Sequence, residues 1–301
     1  MVTNFLTHGR IMGGVVTTPD LDGSLADYHG TLGLALIEQG LVPADLASSW
    51  GTPAIAGARM ATLQPTSGAH CFLRLIEQPL PPGFKPTTTF GWGAFEITVQ
   101  DVFGWPAKLD GSGFRVIGPP KEIASMPFFV PMQMLGRGEE MIYLNETRMN
   151  MPNADLPPAL SPVDHMFIMI LATPDRKATV AWYRDRLLLD EADTFTLEYT
   201  MINKAFDLPA GTTSALTMIH KGRMPIVEVD DYPEQATARK TDAGMLPPGN
   251  ALVSLAVDRL DDIHVDWIAP PQHLPGPLYG GRRSATAIGP AGERIELIEC
   301  R

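Results

Sequence analysis

An eleven-residue stretch occurs twice in this chain, once in each half. Gly136-Arg137-Gly138-Glu139-Glu140-Met141-Ile142-Tyr143-Leu144-Asn145-Glu146 aligns with Gly289-Pro290-Ala291-Gly292-Glu293-Arg294-Ile295-Glu296-Leu297-Ile298-Glu299. Each copy reads as a glycine-bearing turn followed by a strand of alternating polarity. A second pair repeats as well. Thr18-Pro19-Asp20 is followed at a fixed distance by Tyr28, and Thr173-Pro174-Asp175 by Tyr183 at the same distance. A chain that copies itself in this way is assembled from one repeated unit, and that restricts its fold more than any single motif does.

Four units can be read along the chain. The first predicts a strand over Ile11–Thr17, a helix over Leu21–Gln39 started by Asp20 or Asp22, and strands over Ala58–Gln64 and Ala69–Glu77. The second predicts a strand over Gly93–Gln100, a Gly- and Pro-broken helical passage through Val116, and strands over Phe128–Leu135 and Met141–Glu146. Thr147–Pro162, rich in Pro and Asn, reads as a linker. The third predicts a strand over Met166–Thr173, a helix over Arg176–Leu189, and strands over Ser214–His220 and Pro225–Asp230. The fourth predicts a strand over Ala251–Val257, a short helix over Leu260–Ile268, and strands over Arg283–Ile288 and Arg294–Glu299.

The composition fits this plan and excludes several functions. A chain of 301 residues can bury two large cores. Its net charge of −11 and the lack of a basic run argue against nucleic acid as a partner. No apolar run approaches the roughly 20 residues that span a bilayer, and no signal sequence opens the chain, so a cytoplasmic protein without a membrane is expected. Cys71 and Cys300 are too few for a disulfide framework and are expected to be reduced. Fifteen methionines suit irregular cores and adaptable pockets. No phosphate loop and no Gly-x-Ser-x-Gly elbow is present.

A strand, a helix and about three strands, repeated four times, resembles the vicinal oxygen chelate superfamily of glyoxalase I, bleomycin-resistance proteins and extradiol dioxygenases. The segment Asp20 to Tyr28 with Leu32-Gly33-Leu34 is similar to that family's first helix, and Gly289 to Glu299 to its closing hairpin. The resemblance implies an α+β chain of two domains, each a pair of βαβββ units whose curved sheets enclose a cavity. The expected domains are 1–150 (units about 8–80 and 90–148) and 160–301 (units about 163–232 and 249–301). It also implies a divalent metal, of the Fe, Mn, Zn or Ni kind, held from two ranks of position. The first-strand rank, seven residues before the helix start, carries Gly13, Ala94, Ile168 and Ala251; the last-strand rank carries Arg74, Tyr143, Glu228 and Glu296. No first-strand residue has a donor side chain, so the chain departs from the pattern there and the default expectation is no cofactor.

Two constellations follow. Glu228 and Glu296 are expected to face one cavity, as an acid and base pair or as metal ligands completed by His165 or His220. In the first domain, Glu96, Arg74 and Tyr143 are expected to share an apolar pocket, with Glu96 as base and Tyr143 as hydrogen-bond donor. A plain Glu96–Arg74 ion pair, or Glu228 and Glu296 solvated or paired with Arg282 or Arg283, would be structural only. His8 and His29 read as surface residues, Asp230, Asp231 and Glu234 as a solvated loop, and Tyr279-Gly280-Gly281 as a turn. The functional expectation is an enzyme of lyase, isomerase or ring-cleaving type acting on a small apolar or aromatic molecule, as a monomer or homodimer. The alternative is a metal-free small-molecule binding protein of the bleomycin-resistance kind.

Overall fold

Strands that are mostly apolar along their whole length must be covered on both faces, and this chain has four of them, one opening each unit. In the computed structural model, which describes residues 6–124 and 126–300, they form the centres of two sheets. The first unit is β1 (Ile11–Thr18), α1 (Leu21–Leu25) continuing as a π-helical turn over Ala26–Thr31, β2 (Ala35–Leu41), α2 (Ala44–Ser49), β3 (Arg59–Gln64) and β4 (Phe72–Glu77). The second is β5 (Gly91–Val99), α3 (Trp105–Lys108), β6 (Arg115–Gly118), β7 (Phe129–Leu135) and β8 (Met141–Thr147). The third is β9 (Val163–Thr173), α4 (Arg176–Leu187), β10 (Asp190–Leu197), α5 (Thr200–Ala205), β11 (Ser214–Lys221) and β12 (Met224–Asp231). The fourth is β13 (Asn250–Val257), β14 (Gln272–His273), β15 (Arg283–Ile288) and β16 (Arg294–Glu299).

The sheets run β14-β15-β16-β13-β1-β4-β3-β2 and β10-β11-β12-β9-β5-β8-β7-β6. The first unit therefore shares a sheet with the fourth, joined by antiparallel β1 and β13, and the second shares one with the third, joined by β5 and β9. The α+β architecture of paired units is as expected, but the partition is not: the sheets do not divide the chain into 1–150 and 160–301. The physical reason is that an apolar first strand shows that both its faces are buried, not which other first strand its edge will meet.

One continuous core fills the space between the two sheets, drawing Val16, Leu75, Val253 and Leu255 from sheet one and Phe95, Met132, Met169 and Leu171 from sheet two. Gly14 meets the Phe95 ring across this core. A Cβ there would lie 2.5 Å from the Phe95 ring, so only glycine lets β1 pack against β5.

Both repeated motifs have structural work, and they meet each other. Asp20 and Asp175 cap α1 and α4 by accepting from the amides of Gly23 and Ala178, each at 2.9 Å. Just before each cap, Thr18 and Thr173 bond the hydroxyls of Ser24 and Thr179, both at 2.7 Å. The Tyr28 phenol then donates to Glu140 Oε1 at 2.7 Å, and Tyr183 to Glu293 Oε1 at 3.0 Å. Sequential units that share no sheet are thus tied helix to hairpin.

Two expected helices are corrected. The helix over Leu21–Gln39 ends at Thr31, because Gly33 takes a left-handed φ of 74° and turns the chain into β2. Leu260–Ile268 forms only a 3-10 turn over Leu260–Asp262.

Candidate functional site

Each sheet has a second face, turned away from the shared core, and the last-strand residues sit on it. On sheet one this face is packed solid by Met12, Val15, Trp50, Ile76, Leu252 and Ile298 with their neighbours. Arg74 and Glu296 meet at its centre, 2% and 0% exposed, with Nη2 to Oε2 at 2.6 Å. Arg74 also donates to Tyr279 Oη at 2.7 Å and Ser254 Oγ at 2.8 Å. Glu296 accepts from Trp50 Nε1 at 2.9 Å, Tyr279 Oη at 2.7 Å and Ser254 Oγ at 2.6 Å. The Arg74 guanidinium lies 4.7 Å from the Trp50 ring centre and 5.8 Å from that of Tyr279. Burial alone would raise Glu296, but the Arg74 charge and the three donors outweigh it and hold the carboxyl below its ordinary range. This is a closed, internally neutralised plug.

On sheet two the same face carries only small apolar clusters, one of Ala94, Leu135, Met141, Tyr143 and Ile170, the other of Leu156, Phe167 and Ile168. Strand alternation brings Glu96 from β5, Tyr143 and Asn145 from β8, and Glu228 and Asp230 from β12 onto it. Asn145 Nδ2 donates to Glu96 Oε2 at 2.6 Å. The Tyr199 phenol, just ahead of α5, donates to Glu228 Oε1 and lies against the Tyr143 phenol, both at 3.3 Å. Tyr143, Tyr199, Tyr232, Ile170 and Asp230 line a cavity of about 10 Å³, the room of one water, which α5 covers with Met201 and Ile202.

The three acids dominate the electrostatics. Glu96 and Asp230 are 6% and 1% exposed, and Glu228 is half-buried. Among the described residues none of the three is in an ion pair; Arg223, just before β12, pairs with Asp155, and Arg176 with Asp231, both at 2.9 Å. Burial pushes Glu228 up to about 7, against the hydrogen bonds from Tyr199 and Asp230. Burial and then the Glu228 charge push Glu96 well above the ordinary range, and the same causes push up Asp230. Burial likewise raises Tyr143 and Tyr199, which remain protonated donors. Asp230 Oδ1 and Asn145 Oδ1 are buried without any partner.

The structure therefore redistributes the expected site residues. Glu228 and Glu296 do not share a cavity. They lie in different sheets with no partner in common, because the third and fourth units do not pair with each other. Arg74 belongs with Glu296 and not with Glu96. Glu96 and Tyr143 do lie together, in register across β5 and β8. His165 bonds Asp164 at 3.2 Å and completes no set with either glutamate, and His220 lies on β11 opposite Asp190. Arg283 pairs with Glu299 and Asp261. His8 is half-buried and bridges Leu187 O and the Asp258 amide, at 2.8 and 3.2 Å. The residues implied for a divalent metal do not fit one. In sheet one a guanidinium sits on the glutamate, and in sheet two Ala94 and Ile168 offer no donor beside Glu228. Among the described residues no three His, Cys, Asp or Glu are gathered to hold a metal ion.

Sequence reasoning missed Asp230, Asn145, Tyr199 and Tyr232, and it read Tyr279 as part of a plain turn. Asp230 had a signal: it shares strand parity with Glu228. It was masked by Asp231 and Glu234, which made the run look like a loop. Cys71 is a buried free thiol, and Cys300 Sγ donates to the Val257 carbonyl at 3.0 Å. Among the described residues no helix is long and apolar enough to cross a membrane.

No protein-family model matches the sequence, and no curated protein matches it. Solved structures do match in fold. Glyoxalase I from Zea mays is 15% identical with a TM-score of 0.61, over 96% of this chain and 92% of that one. A putative dioxygenase from Bacillus subtilis subsp. subtilis str. 168 is 8% identical with a TM-score of 0.61, over 98% and 86%. At such identities the likeness is one of fold alone.

Proposed function

We propose that this chain, which has the paired-unit fold of the vicinal oxygen chelate superfamily, is an enzyme whose working site is the sheet-two cavity, with proton transfer as its chemistry. One observation carries the reading: Glu96, Glu228 and Asp230 lie on one face with none of them in an ion pair, and Asp230, whose buried Oδ1 has no partner, borders a cavity. The cost of burying such groups unpaired is large. A merely structural role is better served by the plug in sheet one.

Three acids this close cannot all be ionised at neutral pH. Glu96 and Asp230, raised furthest, hold protons. Glu228, near 7, is the group poised to take a proton and return it. Tyr143 and Tyr199 can donate to an oxygen as charge develops on it. In such a step Glu228 Oε takes the proton from a carbon beside a carbonyl as the C–H electron pair moves into the enolate. The same proton then returns to a neighbouring atom, giving an isomerisation, or leaves with a departing group, giving a lyase step. The substrate class expected from the apolar wall of Ala94, Ile170 and the methionines is small and partly apolar or aromatic.

A second reading is favoured by the closed cavity: a protein that captures a small molecule under α5 without transforming it. Deuterium exchange separates the two. A panel of small ketones and aldehydes is incubated in heavy water with the protein and followed by proton NMR. Catalysed exchange beside a carbonyl, reduced at least about tenfold in Glu228→Gln, or roughly 1.4 kcal/mol of barrier, supports the enzyme. Binding of panel members with no exchange above buffer would leave the capture reading in its place.

A further inference from the structure

We infer that the sheet-two cavity recognises a small organic cation, an ammonium group carried on a compact molecule. The inference rests on taking that cavity as the working site and names the chemistry of its ligand.

The chain supplies its own template. Arg74 and Tyr143 hold equivalent positions in the two sheets: Arg74 lies opposite Val15 on β1, and Tyr143 opposite Glu96 on β5. Glu296 and Glu228 are the corresponding glutamates of the partnered units. In sheet one the glutamate receives a positive charge from the chain itself, with the Trp50 and Tyr279 rings at 4.7 and 5.8 Å from that charge. In sheet two the arginine is replaced by a phenol, so Glu228 keeps its carboxylate and has no cation. Around it two further acids, Glu96 and Asp230, have been added, and a cation brought among them would favour their ionised forms and so meet more negative charge than sheet one offers. Asp230 lines the cavity, and its buried Oδ1 has no hydrogen-bond partner. A carboxyl oxygen left this way can accept from a donor brought from outside.

The remaining wall suits the same ligand. Tyr143, Tyr199 and Tyr232 are aromatic, and Met201 adds a polarizable thioether. Arg239 adds no competing hydrogen-bond donor. Its guanidinium donates to Thr89 Oγ1 and to the carbonyls of Trp92, Pro248 and Asn250, at 2.9 to 3.4 Å. A net charge of −11 would further concentrate cations around the molecule. The cavity holds only one water as it stands, so entry requires α5 to move away.

The experiment is a binding titration of the wild-type chain with two matched pairs: choline against its neutral isostere 3,3-dimethylbutan-1-ol, and benzylamine against benzyl alcohol. Benzoate and manganese(II) are added as further arms. At least one ammonium compound is expected to bind at least about tenfold more tightly than its neutral partner. Tyr143→Arg, which supplies the guanidinium internally, is expected to abolish that binding, while Asp230→Asn weakens it. Equal affinity for ammonium and neutral partners overturns the inference. So do preference for benzoate, binding of manganese(II) alone, or no binding of any probe at about 10 mM. Deuterium exchange on neutral carbonyl compounds with no ammonium preference would sink this inference and leave the catalytic reading standing. Ammonium binding without exchange on any compound would do the reverse.

Discussion

Replacing Arg74 by methionine tests how the sheet-one plug is held together. Arg74 and Glu296 are both buried, joined at 2.6 Å, and share Ser254 and Tyr279 as partners. Arg74→Met keeps most of the side-chain volume but leaves Glu296 charged and uncompensated, which costs about 3–5 kcal/mol. The loss has a definite pH dependence. In the wild type Glu296 is held below its ordinary value, so its contribution is present above that range and is lost only on strong acidification. Without Arg74, burial becomes the leading influence and pushes Glu296 upward. The folded state then binds a proton that the unfolded state has released, and stability falls as pH rises, by about 1.4 kcal/mol per pH unit. Urea denaturation followed by tryptophan fluorescence should therefore show a small deficit near pH 5 that widens toward pH 7.5. Arg74→Met combined with Glu296→Met should recover most of the deficit, since a buried pair replaced by apolar residues is often neutral. A single variant within about 1 kcal/mol of wild type at pH 7.5, or a double variant weaker than the single, would refute the reasoning.

Other outcomes follow from the same structure. Gly14→Ala should destabilise by about 1–3 kcal/mol in denaturant titration, and Phe95→Leu in the same chain should restore part of it, because the new Cβ meets that ring. Tyr28→Phe removes a donor that holds the Glu140 carboxyl down, so its cost should be larger at pH 8 than at pH 6; equal costs would argue against an ionised Glu140. Glu140 and Glu293 are both pushed up to about 7, chiefly by burial, from an ordinary value near 4.5. The folded state therefore retains protons that the unfolded chain releases, and the melting temperature should fall as pH rises from about 5 through 7.

The repeats announced the architecture because a turn followed by an alternating strand is a local signal. Two of them, in the second and fourth units, and two helix-capping aspartates, in the first and third, point to copies of one unit. What the repeats could not announce was partnership. Ile11–Thr18, Gly91–Val99, Val163–Thr173 and Asn250–Val257 are buried almost throughout, so the pattern of each fits the edge of any other. Placing Glu228 beside Glu296 depended wholly on that choice, and so did placing Arg74 beside Glu96. The structure places Arg74, Tyr143, Glu228 and Glu296 on the faces away from the shared core, whereas the family resemblance points them into cavities enclosed by paired units. The meeting of Tyr28 with Glu140 was not legible, although both residues had been singled out as repeats. Their contact depends on how α1 packs on a hairpin from another sheet, which no local spacing records.

The nesting of the units, first with last and second with third, sets an order on how the chain can be made. As it leaves the ribosome, the middle pair can close as soon as β12 is available, whereas β1 must wait for β13, which is synthesised after β12. Through that interval the long apolar edge of β1 has no strand to pair with. Its best protection is the half-built core presented by Phe95 and its neighbours, so an early-closing second sheet would serve as the chaperone of the first.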